Sequence, residues 1–188
     1  MLKYIEEFEK HIAITGFRNA KIEDSERFLK KMRLKKGSNV ETQFFDAKYV
    51  ATWQHLYFAV LNALTACKNK RNISKSLAIE TMLYASTQRQ IRKAMELLGI
   101  KAETSEIAVL IIGEDSEAIK SALSMISASA MAQCDDTVLE LSEEKERIIQ
   151  KTFGISDLEL KTVMKKDDVK EALTNLVIER MALTATQR

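Results

Sequence analysis

Two histidines, His11 and His55, and two cysteines, Cys67 and Cys134, are the side chains best suited to metal binding, nucleophilic attack or proton transfer. Their spacing supports none of these. The histidines stand far apart, neither sits in a Cys/His cluster at metal-ligand spacing, and neither cysteine has a CxxC partner. No Gly-x-x-x-x-Gly-Lys loop and no Gly-x-Gly-x-x-Gly turn occurs. The carboxylates gather in runs such as Glu143-Glu-Lys-Glu146, the pattern of solvated helix faces. His55 is a candidate general base, but a lone histidine on a mostly apolar helix is more often a hydrogen-bonded structural group. No catalytic constellation stands behind it, so the expectation is a non-enzyme with no cofactor and no metal.

The basic clusters carry more information. Lys30-Lys-Met-Arg-Leu-Lys-Lys36 ends one helical segment, where cations pair with the helix C-terminus. Lys68, Lys70, Arg71 and Lys75 fill a central loop, and Arg89, Arg92 and Lys93 follow; these two clusters flank one short helix. Net charge is only +2 from 29 basic and 27 acidic residues, so an anionic partner has to be argued from such clusters. Between them runs Tyr84-Ala-Ser-Thr-Gln-Arg-Gln-Ile91. Thr87 with Gln90 fits a capping box, Ile91, Ala94, Met95 and Leu98 give one apolar helix face, and Gly99 suits a left-handed C-terminal cap. That account leaves Ser86, Gln88, Arg89 and Arg92 over. A helix mouth with unpaired N–H groups, arginines and amides is also a phosphate or nucleotide site, although every helix start resembles one a little.

The elements that position these residues read as α/β of the α+β type. His11–Arg18, Val40–Phe45, Glu106–Gly113 and Thr137–Leu141 read as strands. Helices are expected from Asp24 or Ser25 to Met32, Asp46 to Lys68, Lys75 to Ala85, and Thr87 to Leu98. Further helices follow Glu114-Asp-Ser-Glu117 and Ser142, the latter running to about Phe153. The 46–68 helix is apolar almost all round, with Val50, Trp53, Leu56, Tyr57, Phe58, Val60, Leu61 and Leu64. A narrow polar seam of Lys48, Thr52, His55, Asn62, Thr65 and Asn69 interrupts it; the seam is either a groove or the solvent side. The last helix, about 168–184, has more apolar positions than one stripe holds. Either it is sandwiched within its own fold or its second face meets a partner. With 188 residues, 46% of them hydrophobic, the chain suits one domain, 1–188. A charged start, two thiols and no apolar run near the ~20 residues of a membrane helix fit a cytoplasmic protein with no membrane contact.

Several of these residues together resemble a known family. Asp46-Ala47 with Val50-Ala51, His55, Asn62, Glu80, then Ala85-Ser-x-Gln-Arg-Gln-Ile91 and Ala94 to Gly99 are similar to the small regulatory subunits of the KEOPS complex, the family of the eukaryotic PRPK-binding protein, TPRKB. Ile14-Thr-Gly-Phe-Arg-Asn-Ala20, Val138-Leu-Glu-Leu141 and Ile178-Glu-Arg-Met-Ala-Leu183 resemble other parts of it, so the likeness spans nearly the whole chain. The resemblance implies a central, largely antiparallel sheet flanked by helices. It implies a non-catalytic subunit in tRNA threonylcarbamoyladenosine formation. Such a subunit binds and activates an atypical kinase/ATPase, recruits tRNA by its single-stranded 3′ CCA end, and meets the threonylcarbamoyl transferase indirectly. With that partner in view, Ser86, Gln88, Arg89, Gln90 and Arg92 become the expected RNA contacts. Lys75, Arg71 and Asn72 would supply backbone charge, His55 and Asn62 would line the groove, and Arg18 is a further candidate. The kinase interface is expected on the last helix at Val177, Met181 and Leu183. The alternative is a purely protein-binding scaffold without RNA contact.

Overall fold

The computed structural model describes residues 1–22, 24–34, 40–166 and 168–186. Residues 35–39 of the first basic cluster and its following Gly37 turn lie outside the described residues, as does position 167 of the connector before the last helix. The described chain holds five strands and eight α-helices, the α+β class with an antiparallel sheet and a C-terminal helix. It divides into two compact units, Met1–Ala47 with Gly99–Val138, and Lys48–Leu98 with Leu139–Arg188.

The first unit is the sheet with α1 (Ser25–Leu34) and α5 (Ser116–Ala130). Strand β4 (Ile107–Gly113) is its centre, a β-branched run with all seven residues buried. It pairs antiparallel with β2 (Lys10–Arg18) and with β3 (Val40–Asp46). Beyond β2 lie β1 (Leu2–Ile5) and, further along the same strand, the two-residue β5 (Gln133–Cys134), giving the order β1-β2-β4-β3. One sheet face presents Ala13, Phe17, Phe44, Ile107, Val109 and Ile111 to Ile119, Ala122 and Ile126 of α5, and Phe28 of α1 meets Phe44 edge-on at 5.2 Å. Asp115 caps α5, accepting from the N–H groups of Glu117 and Ala118.

Gly16 sits in β2 where Asp135–Val138 crosses it: a Cβ there would overlap Val138 Cγ2 and lie 2.5 Å from the Asp135 carbonyl oxygen. The crossing segment is not the strand expected at Thr137–Leu141. Asp136–Leu139 forms a 3₁₀ turn, because the Asp135 carboxylate accepts from both the Thr137 N–H (3.0 Å) and its hydroxyl (2.6 Å) and bends the chain. Strand β1 was not expected, and Asp46 does not open a helix. It closes β3, opposite Ile107, and its carboxylate accepts from the Thr104 hydroxyl at 3.1 Å.

The second unit is helical: α2 (Trp53–Lys68), α3 (Leu77–Ala85), α4 (Ile91–Leu98), α6 (Glu143–Phe153), α7 (Asp157–Val163) and α8 (Val169–Thr186). Helix α8 packs against α2, α3, α6 and α7. Leu173, Leu176 and Val177 join Ala51, Ile149, Phe153 and Ile155 in one cluster. Most of the apolar excess of α8 is thus consumed inside the fold, with Leu183, 46% exposed, the exception. Helix α7 begins in a capping box of Ser156 and Glu159, and Arg180 of α8 binds the same Glu159 carboxylate. These bonds hold that carboxyl near a pKa of 2, the Ser156 N–H contributing most.

Candidate functional site

Helix α3 organises the residues expected to bind RNA, since most of them lie just before it, just after it, or on α2 beside it. Ahead of α3, α2 ends with Lys70 at φ 55, the Lys70 N–H bonding the Cys67 carbonyl and the Arg71 N–H that of Ala66. This six-to-one, five-to-two pattern is a Schellman closure, here without glycine. The loop that follows is strapped down by Glu80. Its side chain is wholly buried and one carboxylate oxygen accepts from the N–H groups of Ile73 (3.0 Å) and Ser74 (2.8 Å). Asn72 spends its amide on the Ser74 carbonyl. Arg71 and Lys75 are exposed.

Behind α3 the same closure recurs. Thr87 takes φ 54, its N–H bonds the Tyr84 carbonyl, and the Gln88 N–H bonds that of Leu83. Thr87 therefore ends α3 and does not cap α4; Gln90, whose carbonyl accepts from the Ala94 N–H, stands at the mouth of α4. A β-branched residue in the left-handed region is strained, by about 1–3 kcal/mol. Nor is Gly99 a left-handed cap: Gly154, at φ 62, is the glycine with positive φ among the described residues.

The expected contacts separate accordingly. Arg89, Gln90, Arg92 and Lys93 are exposed and Gln88 is half-buried. Arg92 pairs with Glu96 one turn on, at 2.8 Å. Ser86 is fully buried at the C-cap of α3, with its hydroxyl on the Leu83 carbonyl, so it offers nothing to a ligand. His55 also turns inward. It is fully buried, accepts at Nδ1 from the Ala51 N–H (3.2 Å), and donates from Nε2 to the Ala85 carbonyl (2.9 Å). Burial lowers its pKa from 6.5 to about 4; the Ala85 bond opposes this and the Lys145 charge adds to it. His55 is thus a neutral clamp joining the start of α2 to the end of α3. Both its ring nitrogens are engaged, which removes it as a general base and as a groove residue. Asn62 and Thr65 bond the carbonyls one turn back, Phe58 and Leu61, on the solvent side of α2, so the polar seam is not a continuous groove. Arg18 belongs to the first unit. It binds Glu106 (3.1 Å), Asp135 (3.5 Å) and the Thr137 hydroxyl, so two carboxylates already answer its charge.

Two of the three residues expected to face a kinase are core. Val177 and Met181 are 0% exposed, whereas Leu183 is 46% exposed. The apolar residues that reach solvent lie elsewhere. Trp53 (40% exposed) and Phe58 (39%) stand on α2, linked through the Tyr57 ring at 6.1 and 5.6 Å, and Ile91 and Met95 stand one turn apart on α4. The sequence placed all of these on apolar helix faces. The available signal was width: Trp53, Tyr57, Phe58 and Leu61 extend the apolar stripe of α2 beyond the arc that one core contact fills. Among the described residues no group of three or more His, Cys, Asp or Glu is placed to hold a metal, and no helix is long and apolar enough to cross a membrane.

Residues 17–185 match the family described as kinase binding protein CGI-121. The regulatory protein Cgi121 of Methanocaldococcus jannaschii is 37% identical over 113 residues, which cover 60% of this chain and 70% of that protein. The matched span reaches into both units and includes the strapped loop and the two closures around α3. A surface of exposed aromatics and cations accords with a family named for binding another protein, and this chain belongs to the CGI-121 family of kinase-binding proteins.

Proposed function

We propose that the chain is the regulatory subunit of a KEOPS-type assembly, docking on its kinase/ATPase and bringing tRNA to it by the single-stranded 3′ end. The observation that carries the docking half is the aromatic stripe of Trp53, Tyr57 and Phe58 on α2, apolar surface left in water by a chain whose family binds a kinase. It replaces Val177 and Met181 as the proposed contact; Leu183 stays with it as an exposed candidate on α8. Trp53→Ala with Phe58→Ala would weaken kinase binding at least tenfold, about 1.4 kcal/mol, in calorimetry. Undiminished binding would move the interface off α2.

The RNA half rests on the cations at the two ends of α3. Arg71 and Lys75 precede it and Arg89 and Lys93 follow it, with Gln88 and Gln90 between. The nine-residue helix between the two groups is about 13 Å long, so they would meet separate, non-adjacent phosphates along a strand. Arg89→Ala would reduce tRNA affinity and flatten its salt dependence with little change in melting temperature. Removing the CCA end from the tRNA would produce the same loss. A scaffold that never touches RNA is favoured by a different observation, the exposed Ile91 and Met95 among those cations. On that reading, trimmed and full-length tRNA behave alike while Met95→Ala weakens a protein contact.

A further inference from the structure

The first unit carries a cleft of about 600 Å³, lined by Tyr4, Phe8, Glu9, Lys10, His11 and Glu114, that has no part in the surfaces above. It arises from the β1–β2 hairpin. After Ile5 the chain makes the 3₁₀ turn Glu6–Phe8, Glu9 at φ 51 reverses it, and β2 returns with His11 opposite Tyr4. The two rings lie 4.6 Å apart between centroids, their planes tilted by 43°. Nδ1 of His11 is 3.2 Å from the Glu114 carbonyl oxygen. A carbonyl only accepts, so Nδ1 of His11 is the donor of that bond. The Lys10 ammonium is already matched, donating to the Glu114 carboxylate at 2.6 Å. Glu9 forms no ion pair among the described residues, and Glu6 adds further negative charge on the turn.

The cleft therefore combines three rings with an excess of acceptors. A phosphate would meet Glu9 and Glu114 with only one cation, already engaged, to attract it. A purely apolar ligand would desolvate the same carboxylates without return. A planar cation satisfies both features. A guanidinium stacks on aromatic faces and carries five in-plane donors for carboxylate acceptors, whereas an ammonium is compact and strongly hydrated. Free arginine would bring its own carboxylate beside Glu9, so the fit is to an arginine within a polypeptide. We propose that this cleft receives an arginine side chain presented by a protein partner. The proposal does not rest on the kinase or RNA reading, whose residues lie in the second unit.

The test is side-chain NMR on the full chain, following the Tyr4 and His11 rings during titration with N-acetyl-arginine amide, N-acetyl-lysine amide and inorganic phosphate. The arginine amide shifts both rings saturably in the millimolar range expected for one side chain. The lysine amide binds at least about fivefold more weakly, and phosphate has no effect. Glu9→Lys weakens the arginine amide at least about tenfold through charge reversal. Tyr4→Ala, at a position 46% exposed and so tolerant of truncation, does so through lost stacking. Ring shifts with phosphate but not with the arginine amide overturn the proposal. So does equal binding by Glu9→Lys and wild type, or silence with all three probes.

Discussion

The neutral His55 clamp predicts acid destabilisation well above the range in which carboxylates titrate. In the unfolded chain this histidine titrates near 6.5, and in the fold near 4 because burial penalises the imidazolium. The unfolded chain therefore takes up the proton first, and stability is full above 6.5 and falls as pH drops toward 4. Two and a half pH units at about 1.36 kcal/mol each set a ceiling of about 3 kcal/mol, and about 2 kcal/mol of it is lost between about pH 7.5 and pH 5. That is a large share of a typical total of about 5–15 kcal/mol. The physical cause is specific: a proton on Nδ1 removes the acceptor of the Ala51 N–H and places a charge beside Lys145. Urea unfolding at a series of pH values in this window would measure the slope for the native chain and for His55→Gln, which cannot titrate. The carboxylates held low, Glu114, Asp135, Asp136 and Glu159, lose their contributions only as pH falls from the ordinary carboxylate values toward their lowered ones, outside the window. A native chain whose stability is flat across the window, or a His55→Gln chain with the same slope as native, would refute the neutral-clamp assignment.

Three further substitutions test other parts of the account. Gly16→Ala would cost about 1–3 kcal/mol or more in urea unfolding, since the added Cβ meets the backbone of Asp135 and not just a movable side chain. Thr87→Gly would raise stability by about 0.5–1 kcal/mol through relief of the left-handed residue that closes α3; a lower urea midpoint would remove the strain argument. Met181→Ala would cost about 2–5 kcal/mol as a cavity in the α8 packing while Leu183→Ala stays within about 0.5 kcal/mol, so equal effects of the two would contradict their burial.

The central strands were legible because their physics is local. Ile107–Gly113 is a short apolar run rich in Val and Ile, and such a run has few alternatives to a buried strand. Asp115, Ser142 and Gly154 mark helix ends by side-chain or backbone chemistry that acts within a few residues. Strand β1 was not legible: three of its four residues are exposed, so pairing with β2, a property of distant sequence, makes it a strand. His55 was legible as a hydrogen-bonded structural group, but its partners, and the role of Ser86, were hidden for a related reason. Polarity suggested an outward face, but their partners are backbone groups that only the approach of α2 to α3 supplies. Thr87 misled because a closure that usually takes glycine is carried here, as at Lys70, by a residue with a Cβ, which made Thr87 look like a cap. The exposed cations Arg71, Lys75, Arg89 and Lys93 were found by sequence alone, since charge on a loop or helix start has little reason to be buried.

The order of strands also bears on how the first unit is made. Strands β2 and β3 are neighbours in sequence but do not pair; each waits for β4, which comes off the ribosome only after the whole α2–α4 stretch. At about 5–20 residues per second, the gap from Asp46 to Gly113 leaves two apolar strands without their shared partner for several seconds. Their contacts are long-range, the kind that close slowly. During synthesis the unit is therefore open to wrong pairing between nascent chains. Chaperone demand should fall sharply once residue 113 has cleared the exit tunnel, rather than decline evenly with chain length.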